Sequence, residues 1–280
     1  MKSHLPVLLI CAALLQLPLK ADDLRVRVGS VMDSRSSNGV VGGGGLRIQL
    51  RLLGEAALQA HAARASVSGA VDDTGVQLDP VENGMSGYTQ FNLVPGGFNE
   101  HREVWINLTS PQRAAKFLQS VTGKVDVFVP DNDPDATIVV PGILGKVGEA
   151  LNAPALAQAN AVVTVYDQAA FEKALENGDI EWNGGSRGLG MGRAEIVKAG
   201  DLAVAVADPR HRVMGVKFQT RDGQPLQVIT PMGMSSSQGV MITVYQFPTK
   251  PTSEVSLVCY VLTPKSVVSV PLNLTNVPLP

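Results

Sequence analysis

The sequence predicts a mainly β protein, arranged as two β-sandwich halves of immunoglobulin-like or jelly-roll-like type with a few short helices in the connecting region. Three observations carry this expectation. Short apolar, β-branched runs alternate with turn residues along most of the chain. Glycine (28) and proline (18) are plentiful while aromatics are 5%, the composition of short strands joined by tight turns. A strand–turn–strand pattern also occurs twice. The first copy runs from Ser66–Val71 through Asp72-Asp73-Thr74-Gly75 to Val104–Leu108 and closes with Lys124–Pro130. The second runs from Met214–Phe218 through Arg221-Asp222-Gly223 to Val255–Val258 and closes with Val267–Pro271.

The elements follow in order. Residues 1–21 read as a signal peptide: a positively charged Met1-Lys2-Ser3-His4, an apolar core from Leu5 to Leu17, and Ala21 before Asp22-Asp23. Cys11 belongs to that apolar core, because Ile10 lacks the small side chain that a lipid-modified cysteine requires before it. Residues 22–141 are expected to form the first sandwich-like domain. Leu24-Arg25-Val26-Arg27-Val28 alternates as a half-buried strand, and Ser34 to Gly45 is a glycine- and serine-rich loop. Leu46–Leu52 is the clearest period-2 run, with leucine and isoleucine on one side and Arg47, Gln49 and Arg51 on the other. Glu55 to Arg64 offers a helical turn. Ser110-Pro111 reads as a helix start over Ala114–Leu118, with Gly123 beyond it.

Residues 142–280 are expected to hold a connecting helical and glycine-rich region and then the second sandwich-like domain. Gly145–Ala161 is rich in alanine and leucine, and Pro154 breaks or kinks a helix there. Ala161–Tyr166 reads as a strand, Asp167 caps a helix over Gln168–Glu176, and Asn177-Gly178 stops it. Trp182–Arg193 is a glycine-rich loop followed by strand-like Arg193–Val197, and Asp201–Val206 is a further strand.

Composition narrows the function. A signal peptide implies a secreted or periplasmic protein. Removing residues 1–21 leaves 21 basic residues (23 − 2) against 25 acidic ones, and no basic run stands out along the chain. Nucleic acid is therefore not an expected partner, since phosphate binding needs clustered Lys and Arg. Cys259 is then the only cysteine, so sheets must be held by apolar burial rather than by a disulfide. No segment after the signal is apolar enough to span a membrane.

No motif assigns chemistry. Asp131-Asn132-Asp133-Pro134-Asp135 spaces oxygens as a Ca²⁺ loop does. Ala136 and Gly142 stand where an EF-hand needs glycine and glutamate, and a solvated turn is the expectation. Gly184–Gly192 resembles a phosphate loop but precedes a strand-like segment, so a plain loop is expected. Ser235–Ser237 lacks a nucleophile elbow. His61, His101 and His211 stand far apart among polar neighbours and are expected at the surface, and Cys259 in an apolar strand is expected to be a small core residue. No catalytic or metal residue and no cofactor is assigned, and the ligand-binding residues are unknown. Trp105, Trp182 and Tyr88 could stack on sugars; Trp182 beside Glu181 and Asn183 is the more suggestive, although a ring covering a sheet edge is the simpler expectation. Asn107-Leu108-Thr109 and Asn273-Leu274-Thr275 match N-glycosylation acceptors. The expected role is a non-catalytic binding or structural module whose partner is an extracytoplasmic protein or a polysaccharide. The rivals are a carbohydrate-binding accessory module and a secreted hydrolase with its site near the glycine-rich loop.

Overall fold

A computed structural model describes residues 24–34, 45–81, 87–91, 102–182, 196–229 and 239–280, together with the backbone of 231–235. The chain is mainly β, with several antiparallel sheets, none of them closed among the described residues. The described strands are β1 (Arg25–Ser34), β2 (Gly45–Leu53), β3 (Ala62–Asp72), β4 (Thr89–Gln90), β5 (Glu103–Thr109), β6 (Phe117–Phe128), β7 (Thr137–Val140), β8 (Val162–Tyr166), β9 (Leu202–Ala207), β10 (Val213–Gln219), β11 (Pro231–Ser235), β12 (Val240–Tyr245), β13 (Ser256–Val261) and β14 (Val267–Pro278). Their sheet orders are β1-β2-β5, β14-β6-β3-β4, β11-β12-β9-β8 and β10-β13-β7. No described helix is long and apolar enough to cross a membrane. The signal segment, the 35–44 loop, His101 and the glycine-rich loop over 183–195 lie outside the described residues.

Alternation decides which side of β2 meets the core. Leu46, Ile48 and Leu50 are fully buried, and each such side chain contributes about 1.5–3 kcal/mol relative to an exposed one. They meet Val104, Ile106 and Leu108 of β5 and Val121, Val125 and Val127 of β6 in one apolar cluster, together with Val268, Val270 and Leu272 of β14. A second cluster joins Val163 and Val165 of β8, Leu202 and Val204 of β9, Phe218 of β10, and Leu257, Cys259 and Val261 of β13.

β13 does not alternate in sequence because both of its faces are covered. Leu257, Cys259 and Val261 enter the second cluster, while Val258 and Tyr260 meet Phe128 and Ala62 across a third apolar contact. His61 lies there too, its ring edge-on to Tyr260 with 4.5 Å between centroids. The histidine is not at the surface as expected; burial, followed by the nearby Lys217, lowers its pKa to about 4. His211 is exposed.

Strand order does not follow chain order. β7 pairs with β13, Leu257 opposite Val140, although β7 precedes residue 142. The last strand, β14, pairs along its length with β6, from Val267 opposite Phe128 to Pro278 opposite Phe117. The two segments leading into these strands touch. Asp133 accepts a hydrogen bond from the Thr263 hydroxyl at 2.6 Å and caps the 3-10 turn Pro134–Ala136 through the Asp135 N–H. The aspartate expected to lie in a solvated turn is therefore buried and engaged, whereas Asp131 and Asp135 are exposed.

The two turns that open the repeated pattern share one hydrogen-bonding scheme. Asp72 N–H donates to Val76 O and Gly75 N–H to Asp72 O; Thr220 N–H donates to Gln224 O and Gly223 N–H to Thr220 O. Gly75 (φ 85°) and Gly223 (φ 79°) occupy the left-handed position that glycine takes without strain. Beyond the turns the copies diverge: β10 and β13 are sheet neighbours, whereas β3 and β5 lie in different sheets.

The helices are short. Pro154 starts α2 (Pro154–Ala159) rather than breaking it, because a first-turn N–H has no intrahelical acceptor to lose. α3 (Gln168–Asn177) begins at Asp167, whose carboxylate accepts the Ala170 N–H at 2.9 Å, and ends at Gly178. The helix expected over Ala114–Leu118 is a turn leading into β6. Asp72 and Asp73 draw the Gln112 and Lys116 N–H groups to their carboxylates, out of any helical ladder.

Candidate functional site

The outer face of the β1-β2-β5 sheet gathers the polar side chains that have no place in the core. With Leu46, Ile48, Leu50 and Leu52 turned inward, Arg47, Gln49 and Arg51 turn outward. Register sets Arg27 beside Arg51 and Arg51 beside Glu103; Ser30 beside Gln49 and Gln49 beside Trp105; Met32 beside Arg47 and Arg47 beside Asn107. Arg25 stands opposite Leu53 at the end of the same rows.

The contacts give this face its shape. The Arg47 guanidinium lies over the Trp105 ring, 4.6 Å from its centroid. Arg51 Nε donates to Glu103 Oε1 at 3.1 Å, and Gln49 Nε2 donates to the other oxygen of the same carboxylate. Ser30 Oγ donates to Gln49 Oε1 at 2.9 Å. Gly29 sits at the bulge of β1, where a Cβ would lie 2.9 Å from Gln49 Oε1 and 3.1 Å from Arg51 Cγ. Glycine there lets those two side chains lie close over the strand. Met32 is half exposed, and Asn107 Oδ1 is buried with no hydrogen-bond partner. Among the described residues, four arginines thus share a sheet face with one carboxylate, on a chain whose formal net charge is −2.

Sequence reasoning found no basic face because these arginines never form a run. Arg25 and Arg27 lie on β1, Arg47 and Arg51 on β2, and only pairing of the strands brings them together. The period-2 pattern of β2 was the available signal; the neighbour of β2 was not.

The β11-β12-β9-β8 sheet has an apolar outer side. Tyr166, Ala203, Ala205, Ile242 and Val244 meet Phe171 and Ala174 of α3 there. Trp182 joins this cover, edge-on to Phe171 at 5.8 Å, so its ring packs against the helix rather than forming an open platform. Trp105 is the half-buried indole on a sheet surface. Tyr88 lies under the Arg64 guanidinium at 5.0 Å. Cys259 is buried, and burial pushes its thiol up to about 12. A shallow hollow of about 390 Å³ beside α3 is lined by Asp167, Glu172, Asp201 and Lys250, but Asp167 and Asp201 already accept backbone N–H groups.

No protein-family model, curated protein or solved structure matches this chain. The arrangement of side chains is therefore the ground for a functional reading.

Proposed function

We propose that this is an exported, non-catalytic binding protein, and that the outer face of β1-β2-β5 is its ligand surface. The observation that carries the reading is that Arg25, Arg27, Arg47 and Arg51 share one sheet face, with Arg47 over Trp105, on a chain with more acidic than basic residues. Acid–base hydrolysis of a glycoside takes two carboxyl groups. Among the described residues this face has Glu103 alone, already bound by Arg51 and Gln49. Those contacts suit recognition rather than turnover.

The scaffold reading is two immunoglobulin-like sandwiches that exchange their last strands. Support comes from the repeated neighbour order, β1-β2-β5 in one case and β8-β9-β12 in the other, each sharing an apolar cluster with a second sheet. In this reading β7 and β14 are each built into the sheet of the other half.

The test is to pass the mature protein over arrays of extracytoplasmic proteins and polysaccharides, beside an Arg47→Ala/Trp105→Ala double variant, and through a hydrolase panel. The expected result is retention by some ligand, lost in the double variant, with no turnover. Hydrolysis that survives repurification contradicts the reading.

A further inference from the structure

We infer that the arginine face takes an acidic polysaccharide, a sugar polymer bearing carboxylate or sulfate groups. This names the ligand class of the surface proposed above and rests on that reading. Among the described residues Arg25, Arg27 and Arg47 have no carboxylate partner, and Glu103 is already held by Arg51 and Gln49. A planar guanidinium matches two anionic oxygens at once, which an ammonium group cannot do. No described protein acceptor takes the N–H groups of Arg47, while the Trp105 ring beneath fixes where its cation sits.

Spacing favours this class over nucleic acid. Arg47 and Arg51 are four residues apart on β2, about 13 Å at strand rise. A DNA strand carries a charge every ~3.4 Å along the duplex axis, denser than these arginines. A polymer with a charge on every sugar or two can meet such separated arginines one at a time, while the net charge of −2 opposes every polyanion alike at long range. The surface offers polar side chains of both kinds for sugar hydroxyls: Gln49 and Ser30 lie between the two arginine rows. Gly29, lacking a side chain, leaves room for Gln49 and Arg51 to lie over β1, which holds both side chains on this face.

Affinity electrophoresis of the full mature chain through gels containing polygalacturonate, dextran sulfate, neutral dextran or single-stranded DNA tests this. Retardation by polygalacturonate or dextran sulfate, weakening with added salt and reduced roughly tenfold by Arg47→Ala, is the expected result. Comparing the two charged gels tells carboxylate from sulfate. Arg47→Lys keeps the charge and loses the fork, and is expected to bind nearly as weakly as Arg47→Ala. Circular dichroism and thermal melting confirm that each variant is folded. Equal retardation by neutral dextran, abolished in Trp105→Ala, overturns the acidic class while leaving the binding reading standing. Retardation by DNA as strong as by the acidic glycans overturns it as well. Free migration through all four gels ends this inference; the ligand arrays of the previous section then decide whether the face binds anything.

Discussion

Asp72 shows how much a single buried side chain can hold. One oxygen accepts the Thr74 and Val76 N–H groups and the Thr74 hydroxyl, and the other accepts the Gln112 N–H. Burial by itself raises a carboxyl pKa, but these bonds outweigh it and hold Asp72 below the usual range. Asp72→Ala strands several buried donors and is expected to cost about 2–4 kcal/mol, read as a lower urea midpoint at unchanged slope. Gly123 answers a different demand. A Cβ there would lie 2.0 Å from Ser66 O, so Gly123→Ala forces β3 and β6 apart and is expected to destabilise by roughly 3 kcal/mol or more. His61 sets an acid limit. Its pKa falls from 6.5 to about 4 on folding, so between those values the unfolded chain binds more protons. Its contribution is complete above pH 6.5 and is lost as pH falls toward 4. Urea melts at pH 7, 5.5 and 4.5 check this: the parent weakens across the series, and His61→Leu shows a shallower fall. Asp72, and Asp126 on β6, whose buried carboxylate is held by Ser269, Lys124 and Arg64, act lower, since their depressed values place their loss below the ordinary carboxyl range near 3.8.

At the scale of elements, the legible parts were those whose environment is one-sided or locally capped. β2 announces its buried face by strict alternation, and α3 announces both ends through Asp167 and Gly178. β13 was legible as a strand, but its second buried face depends on Phe128 and Ala62 from distant sequence. The turn at 110–116 imitated a helix start because Ser110-Pro111 is a sound cap; the acids that claim its amides lie some forty residues earlier. The Asp131–Asp135 segment looked like a solvated or metal-binding turn, and its partner Thr263 is 130 residues away. The candidate face was hidden for the same reason, as its arginines meet only through strand pairing. Asp133→Ala removes both the turn cap and the tie to Thr263, and is expected to cost about 1–3 kcal/mol by thermal or urea melting. Thr263→Val leaves the turn cap but removes the tie together with the bond that Thr263 Oγ1 accepts from the Ser266 N–H; a double-mutant cycle with Asp133→Ala is expected to give a coupling of about 1 kcal/mol for the tie, and zero coupling contradicts it.

For the molecule as a whole, the pairing of β7 with β13 and of β14 with β6 ties early and late parts of the chain together. If each half supplies a strand to the other, neither can lose its sheet without opening its neighbour. Differential scanning calorimetry is expected to show one transition with equal calorimetric and van't Hoff enthalpies, whereas two resolved transitions contradict strand exchange as a locking device. The same scaffold holds one sheet face under α3 and Trp182 and leaves another covered with arginines around Trp105. Trp105 can report on a ligand that meets this second face. The chain has two tryptophans, so Trp182→Phe leaves Trp105 as the sole indole. Titrating that variant with polygalacturonate and with dextran sulfate is predicted to give a saturable change in indole emission that Arg47→Ala weakens. Emission that stays flat in a folded variant up to high concentrations of both polymers contradicts the account.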